Sequence, residues 1–207
     1  MAITIIDRAY MMKKPYLALI AFLIPCSLLS HPHVFIDYTV NFVFDQNGVA
    51  GIETEWIFDE MYSSILIQDY DANKDGKFSD REIITIKQDA FSNLENYNYF
   101  IYLSINSKNF KVKSIENFSV DVYDNKVIYS FFIPWVVPAT PSYKKIEICM
   151  YDETYYVDLL PLGDDPVRFT NEGSIDHEVK VFEDTKESRD YGEIYPYSIH
   201  LEFRRKE

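Results

Sequence analysis

The chain has 207 residues, 33 acidic and 20 basic, for a formal charge of −13; 47% are apolar and 16% aromatic. That much bulky apolar surface excludes a disordered acidic tail, because its burial repays the entropy of ordering, and one compact domain is expected. Phosphate binding needs clustered Lys and Arg, and no such run occurs, so the composition excludes a nucleic-acid partner and favours small cations.

The first element is a leader. Lys13 and Lys14 precede the apolar run Tyr16 to Ile24, and the smaller, more polar Pro25-Cys26-Ser27 follows. Positive start, short greasy segment and polar exit predict a secretory signal peptide over residues 1–30, cleaved after Ser30; the run is short for a membrane span. A single periplasmic domain is then expected over 31–207. Without the leader the chain holds 17 basic and 32 acidic residues, or −15, and Cys149 as its one cysteine. An internal disulfide is thereby excluded. Within Ile146-Glu147-Ile148-Cys149-Met150, a lone thiol acts as a small hydrophobe, so burial is expected.

From His33 the pattern is that of strands. Val34, Ile36, Tyr38, Val40, Phe42 and Phe44 alternate with more polar neighbours, the period-two signature of a half-buried strand. Asp45-Gln46-Asn47-Gly48 supplies a turn and the next strand runs through Ile52, Thr54 and Trp56. Residues 59–95 break the alternation: Met61, Ile65, Leu66, Ile83, Ile84, Ile86 and Phe91 fall nearer helical spacing on either side of a polar dozen, which predicts an inserted helical hairpin. Further strands are expected over Tyr99 to Ile105, Phe118 to Val122, Lys126 to Val137, Lys145 to Tyr151, Thr154 to Leu160 and Ser198 to Phe203. Asp164-Asp165-Pro166 and Glu183 to Tyr191 read as loops. The fold expected is α+β, a mainly antiparallel, sandwich-like β-sheet carrying an EF-hand hairpin.

The polar dozen, Asp71 to Glu82, fits the twelve-residue calcium loop at every ligand position. Calcium takes six to eight hard oxygens. This spacing offers the side chains of Asp71, Asn73 and Asp75, the carbonyl of Lys77, Ser79 through water, and Glu82 with both oxygens, while Gly76 makes the sharp turn. Phe78 stands where an aliphatic residue is usual and can still pack between the helices. A single loop of this kind outside the cytosol suits a weak structural clamp more than a sensor.

His31-Pro32-His33 is the second signal. Residues i and i+2 of an extended chain point the same way, and Pro32 favours extension, so both imidazoles can reach one transition-metal ion, with Asp37 on the same face. Imidazole suits Zn2+ or Ni2+ rather than calcium. His177 and His200 are the other histidines of the chain, and their spacing assigns them to no site.

His31-Pro32-His33-Val34, Trp56-Ile57-Phe58-Asp59, the Asp71–Glu82 loop and Tyr151-Asp152-Glu153-Thr154-Tyr155-Tyr156 together resemble a bacterial domain-of-unknown-function family described as periplasmic components of ABC-type transport systems. Its members are similar to ZevA-type accessory proteins of nickel, cobalt and zinc transporters. The resemblance implies a metal-handling role and an integral-membrane metal transporter as partner. It supports His31 and His33 as the amino-terminal motif and Asp71 to Glu82 as the calcium loop, and it implies no catalytic residue.

An enzyme is not expected. Asp59 with Glu60, and Asp152 with Glu153, are adjacent in sequence and so diverge on a strand or a helix, and no nucleophile elbow, phosphate loop or zinc-protease helix occurs. The expected function is a periplasmic accessory protein that binds or passes a divalent transition metal to a transporter, with calcium as a structural ion. The alternative is a calcium-stabilised adaptor that docks the transporter without a second metal.

Overall fold

The apolar alternation after His33 becomes two β-sheets facing each other across a shared core. The computed structural model describes residues 33–184 and 195–206; the expected leader, His31 and most of the expected loop from Glu183 to Tyr191 lie outside them. In β1 (Val34–Asp45) the even-numbered residues Val34 to Phe44 are all buried. The Asp45 carboxylate accepts bonds from the Asn47 and Gly48 amides at 2.7 and 3.0 Å, closing the turn into the antiparallel β2 (Gly48–Phe58). Gly51 is required there, because a Cβ would stand 2.2 Å from the Phe132 ring.

The remaining strands are β3 (Ile101–Ile105), β4 (Lys108–Phe110), β5 (Glu116–Tyr123), β6 (Lys126–Pro138), β7 (Lys144–Met150), β8 (Val157–Pro161), β9 (Val167–Thr170), β10 (Ile175–Glu183) and β11 (Tyr197–Arg205). The first sheet runs β5-β6-β2-β1-β8, with β9 also on β1; the second runs β10-β11-β7-β3-β4. Inner faces of both sheets contribute to one buried cluster. Phe44 of β1 meets Phe203 of β11 edge-on at 6.1 Å. Trp56 packs against Phe91, Phe100 and Phe131. Each such side chain contributes about 1.5–3 kcal/mol when fully buried.

Between β2 and β3 lie α1 (Glu60–Tyr70) and α2 (Asp80–Ile86). Asp59 starts α1 by accepting from the Tyr62 amide at 2.9 Å, while its second oxygen accepts from the Phe35 amide at 2.9 Å, so one carboxylate caps the helix and fastens it to β1. Ser63, fully buried, accepts from the Val127 amide at 2.9 Å and joins α1 to β6. Beyond α2 the chain tightens and loosens through a π-turn (Lys87–Phe91) and a 3-10 segment (Ser92–Phe100). Asn98, Tyr99 and Phe100 all have φ between 52 and 56°.

Several expectations need correction. The fold is mostly β in two sheets with few helices and mainly antiparallel, as the α+β, sandwich-like expectation has it; the departure is β1, which pairs in parallel with both β8 and β9, so the first sheet is mixed. The helical stretch expected over 59–95 extends to Phe100, which delays the next strand to Ile101. The strand expected from Thr154 begins at Val157, because Asp152 holds residues 154–157 in a turn. β4, β9 and β10 were not anticipated: two are very short, and β10 carries Asp, His, Glu and Lys in place of a clear apolar alternation. Cys149 is half-buried, not buried, because Ile146, Ile148 and Met150 take the inward positions of β7.

Candidate metal sites and their surroundings

The polar dozen joins α1 to α2 and is drawn together by its own side chains. Asp71, 5% exposed, accepts from the Gly76 amide at 2.9 Å and the Asp75 amide at 3.3 Å. Asn73 Oδ1 accepts from the Asp75 amide, and Asp75 Oδ1 from the Lys77 amide, both at 2.9 Å. Gly76 lies at φ +78° with open space around it, so backbone conformation and not crowding calls for glycine. Phe78 packs against the core.

Glu82 reaches back across the loop. It accepts from the Ala72 amide at 2.9 Å and from the Ser79 amide and hydroxyl at 2.7 Å each, and these bonds, those from Ser79 first, hold its carboxyl below the ordinary value. Among the described residues no three His, Cys, Asp or Glu side chains converge as a metal group. In the loop this reflects Glu82 resting on amides while Asp71 is turned inward and Asp75 stays exposed. The residues nevertheless fit a hard cation. A carboxylate offers about four lone-pair sites, and Asp71 and Asp75 accept two bonds apiece, leaving oxygen donors available. Among the described residues no Lys or Arg forms an ion pair with Asp71, Asp75 or Glu82.

The histidines are dispersed. His33 begins the first sheet, where its amide donates to the Tyr156 carbonyl at 2.9 Å and its ring tilts over Tyr156 with centroids 5.0 Å apart. Asp37 faces the same side, yet four strand residues span about 13 Å, too far for one ion held by both. Instead Asp37 stands near Asp158, whose carboxyl is pushed up by burial and then by the Asp37 charge. His177 of β10 stacks on Phe169 at 4.1 Å and meets Glu172 at 2.5 Å. His200 of β11 stands 3.4 Å from Glu147. Burial, then the charge of Lys145, lowers the His200 pKa, so the ring is mostly neutral near pH 7. The structure brings none of these three rings together.

Asp152 is an organiser that acid-pair reasoning passed over. It is 2% exposed and accepts from the Thr154 hydroxyl and from the amides of Thr154, Tyr156 and Val157 at 2.8 to 3.1 Å. The turn it builds aims the Tyr156 carbonyl at His33 and Val34. The legible signal was an Asp two residues before a Thr, the Asx-turn spacing.

In comparisons with known proteins, residues 16–193 match a family model described as a protein of unknown function, DUF1007. A 95-residue stretch is 30% identical to an uncharacterised 15.5 kDa protein in the trpE 3′ region of Spirochaeta aurantia, covering 46% of this chain and 67% of that protein. Neither description names an activity. With the matched residues spanning both sheets and the inserted helices, the chain belongs to the DUF1007 family.

Proposed function

We propose that this is a secreted, calcium-clamped accessory protein of a divalent transition-metal transporter, its helix–loop–helix acting as an EF-hand. The observation that carries the reading is the loop from Asp71 to Glu82: six ligand positions at calcium spacing, an inward-turned Asp71, and three carboxylates without a cationic partner among the described residues. Calcium would be held by Asp71, Asn73, Asp75, the Lys77 carbonyl, Ser79 and Glu82, and would cancel the repulsion among the carboxylates. Because α1 is fastened to β1 by Asp59 and to β6 by Ser63, ordering the loop stiffens the insertion against the first sheet.

The metal-handling part rests on His31 and His33 together with the resemblance to metal-transport accessory proteins. The spread of His33, His177 and His200 favours the second reading, an adaptor that docks a transporter with calcium alone. Titration of the full chain separates them. Calcium is expected to bind with a Kd of about 10⁻⁴ to 10⁻³ M and to raise the melting temperature; no heat, and melting indifferent to a chelator, would remove the clamp. Zinc or nickel binding that disappears in the His31→Ala, His33→Ala double variant supports delivery, and its absence leaves the adaptor.

A further inference from the structure

The outer face of the first sheet carries a cavity of about 300 Å³ whose lining includes no residue of the calcium loop and no histidine. Strand register builds it. The even-numbered residues of β1 enter the core, so the odd-numbered ones face out. One transverse row then places Arg168 of β9 beside Asn41 of β1, Asn41 beside Glu53 of β2, and Glu53 beside Phe132 of β6. The neighbouring row adds Glu55 and Ser130. Beyond Phe132 the register of β5 slips between Glu116 and Ser119, and this bulge sets Asn117 against the same cavity.

Two features set this face apart from an ordinary solvated sheet surface. Phe132 is an apolar residue in a polar row, and its ring fills the space that a side chain at position 51 would take, so Gly51 seats it against the backbone and the ring lines the cavity. Glu53 is exposed and yet fixed: Asn41 Nδ2 donates to it at 2.7 Å and to the Thr170 hydroxyl at 2.9 Å, so three strands hold one carboxylate in place. Water alone would solvate that carboxylate without such bracing. Fixing it in advance lowers the entropy that a ligand must otherwise overcome.

The lining also selects the ligand. Arg168 uses Nη1 to bond the Asp165 and Val167 carbonyls at 2.6 and 3.1 Å, which leaves Nε and Nη2 as donors. A cation in the cavity would meet that guanidinium, and an anion would meet Glu53 and Glu55. A metal ion would need converging ligands, and no three metal-binding side chains converge among the described residues. A neutral polyol suits both signs of charge, because each hydroxyl donates one hydrogen bond and accepts others. Phe132 adds an apolar surface whose negative ring face attracts C–H groups. A pyranose with equatorial hydroxyls joins the two properties, with hydroxyls around its rim and C–H bonds on its flat faces. The volume is at the small end for ligand pockets, in keeping with a short saccharide.

We propose that this cavity binds a neutral glycan of equatorial pyranose units, one ring lying on Phe132 with its hydroxyls bonded to Glu53, Arg168 and Asn117.

Calorimetry of the full chain with chitotriose, the neutral trimer of N-acetylglucosamine, tests it, with calcium saturating so that the acidic loop is in one state. Millimolar or tighter binding is expected, weakened about tenfold in Glu53→Gln and in Phe132→Ala. Arg168→Met should weaken it about tenfold as well; it and Glu53→Gln change exposed side chains, so their losses are separable from unfolding. Tyr123→Ala, which removes an exposed aromatic ring outside the cavity, should leave the affinity unchanged. Absence of heat, a loss as large in Tyr123→Ala as in Phe132→Ala, or tighter binding of the cationic glucosamine trimer than of chitotriose would overturn the assignment.

Discussion

Ser63 shows how much one hydroxyl can carry. It is the buried partner of the Val127 amide and donates in turn to the Phe58 carbonyl at 3.3 Å. In Ser63→Ala the Val127 N–H remains buried without an acceptor, a cost of about 1–3 kcal/mol, or a fall of several degrees in melting temperature for a domain of this size, measurable by calorimetry. Ser63→Thr keeps the hydroxyl but adds a methyl to a closed site. Asp152 works on the same principle with more partners. Such residues were hard to read in the sequence because a small polar side chain looks alike whether it faces water or satisfies a distant strand.

At the scale of elements, the hairpin insertion separates two sources of order. The ends of α1 and α2 are fixed by side chains, Asp59 at one and Glu82 with Ser79 at the other, whereas the loop between them depends on Gly76 adopting positive φ. Gly76→Ala is expected to cost about 1–2 kcal/mol through left-handed strain and to weaken calcium binding, with the core of the sheets still folded. Near-ultraviolet circular dichroism and calcium titration of that variant check both halves of the expectation. β1, β2 and β6 were legible because their alternation faces one core. The mixed pairing was not, since alternation says which face is buried but not which strand lies alongside or in what direction. The inward positions of β7, and so the exposure of Cys149, follow from parity: Ile146, Ile148 and Met150 are three apolar residues in register, leaving Cys149 on the other side.

Across the whole molecule, titration sets a direction for stability. Burial pushes the Glu147 carboxyl up, but bonds from Lys145 and Ser104 and the nearby charges of Lys145 and His200 outweigh it and leave the value lowered; bonds from Arg204 and Tyr143 lower Asp176. A lowered folded value means stability is full above the unfolded pKa and is lost as pH falls through the folded one. His200 acts in the same sense from a higher start: its lowered value means the unfolded chain takes the proton first, so stability begins to fall below about pH 6.5. Asp158 opposes them, because its raised carboxyl loses stability as pH rises. Melting temperature is therefore expected to decline from pH 7 to pH 4, and His200→Gln should flatten the portion that begins below about pH 6.5. The candidate sites were legible in unequal measure. The acidic loop is contiguous and can be read from spacing alone, while the contacts of His33 with Tyr156 and of His200 with Glu147 join distant segments that only the ladder brings side by side.

The placement of β1 bears on how the chain is born. One flank of β1 can find its hairpin partner once the chain is present through residue 58, but its other flank is completed only by residues 157–170. Until those residues arrive that flank is an open template for foreign strands. A truncation that stops near residue 150 would keep it open permanently, and such a fragment should aggregate even though most of its first sheet is present.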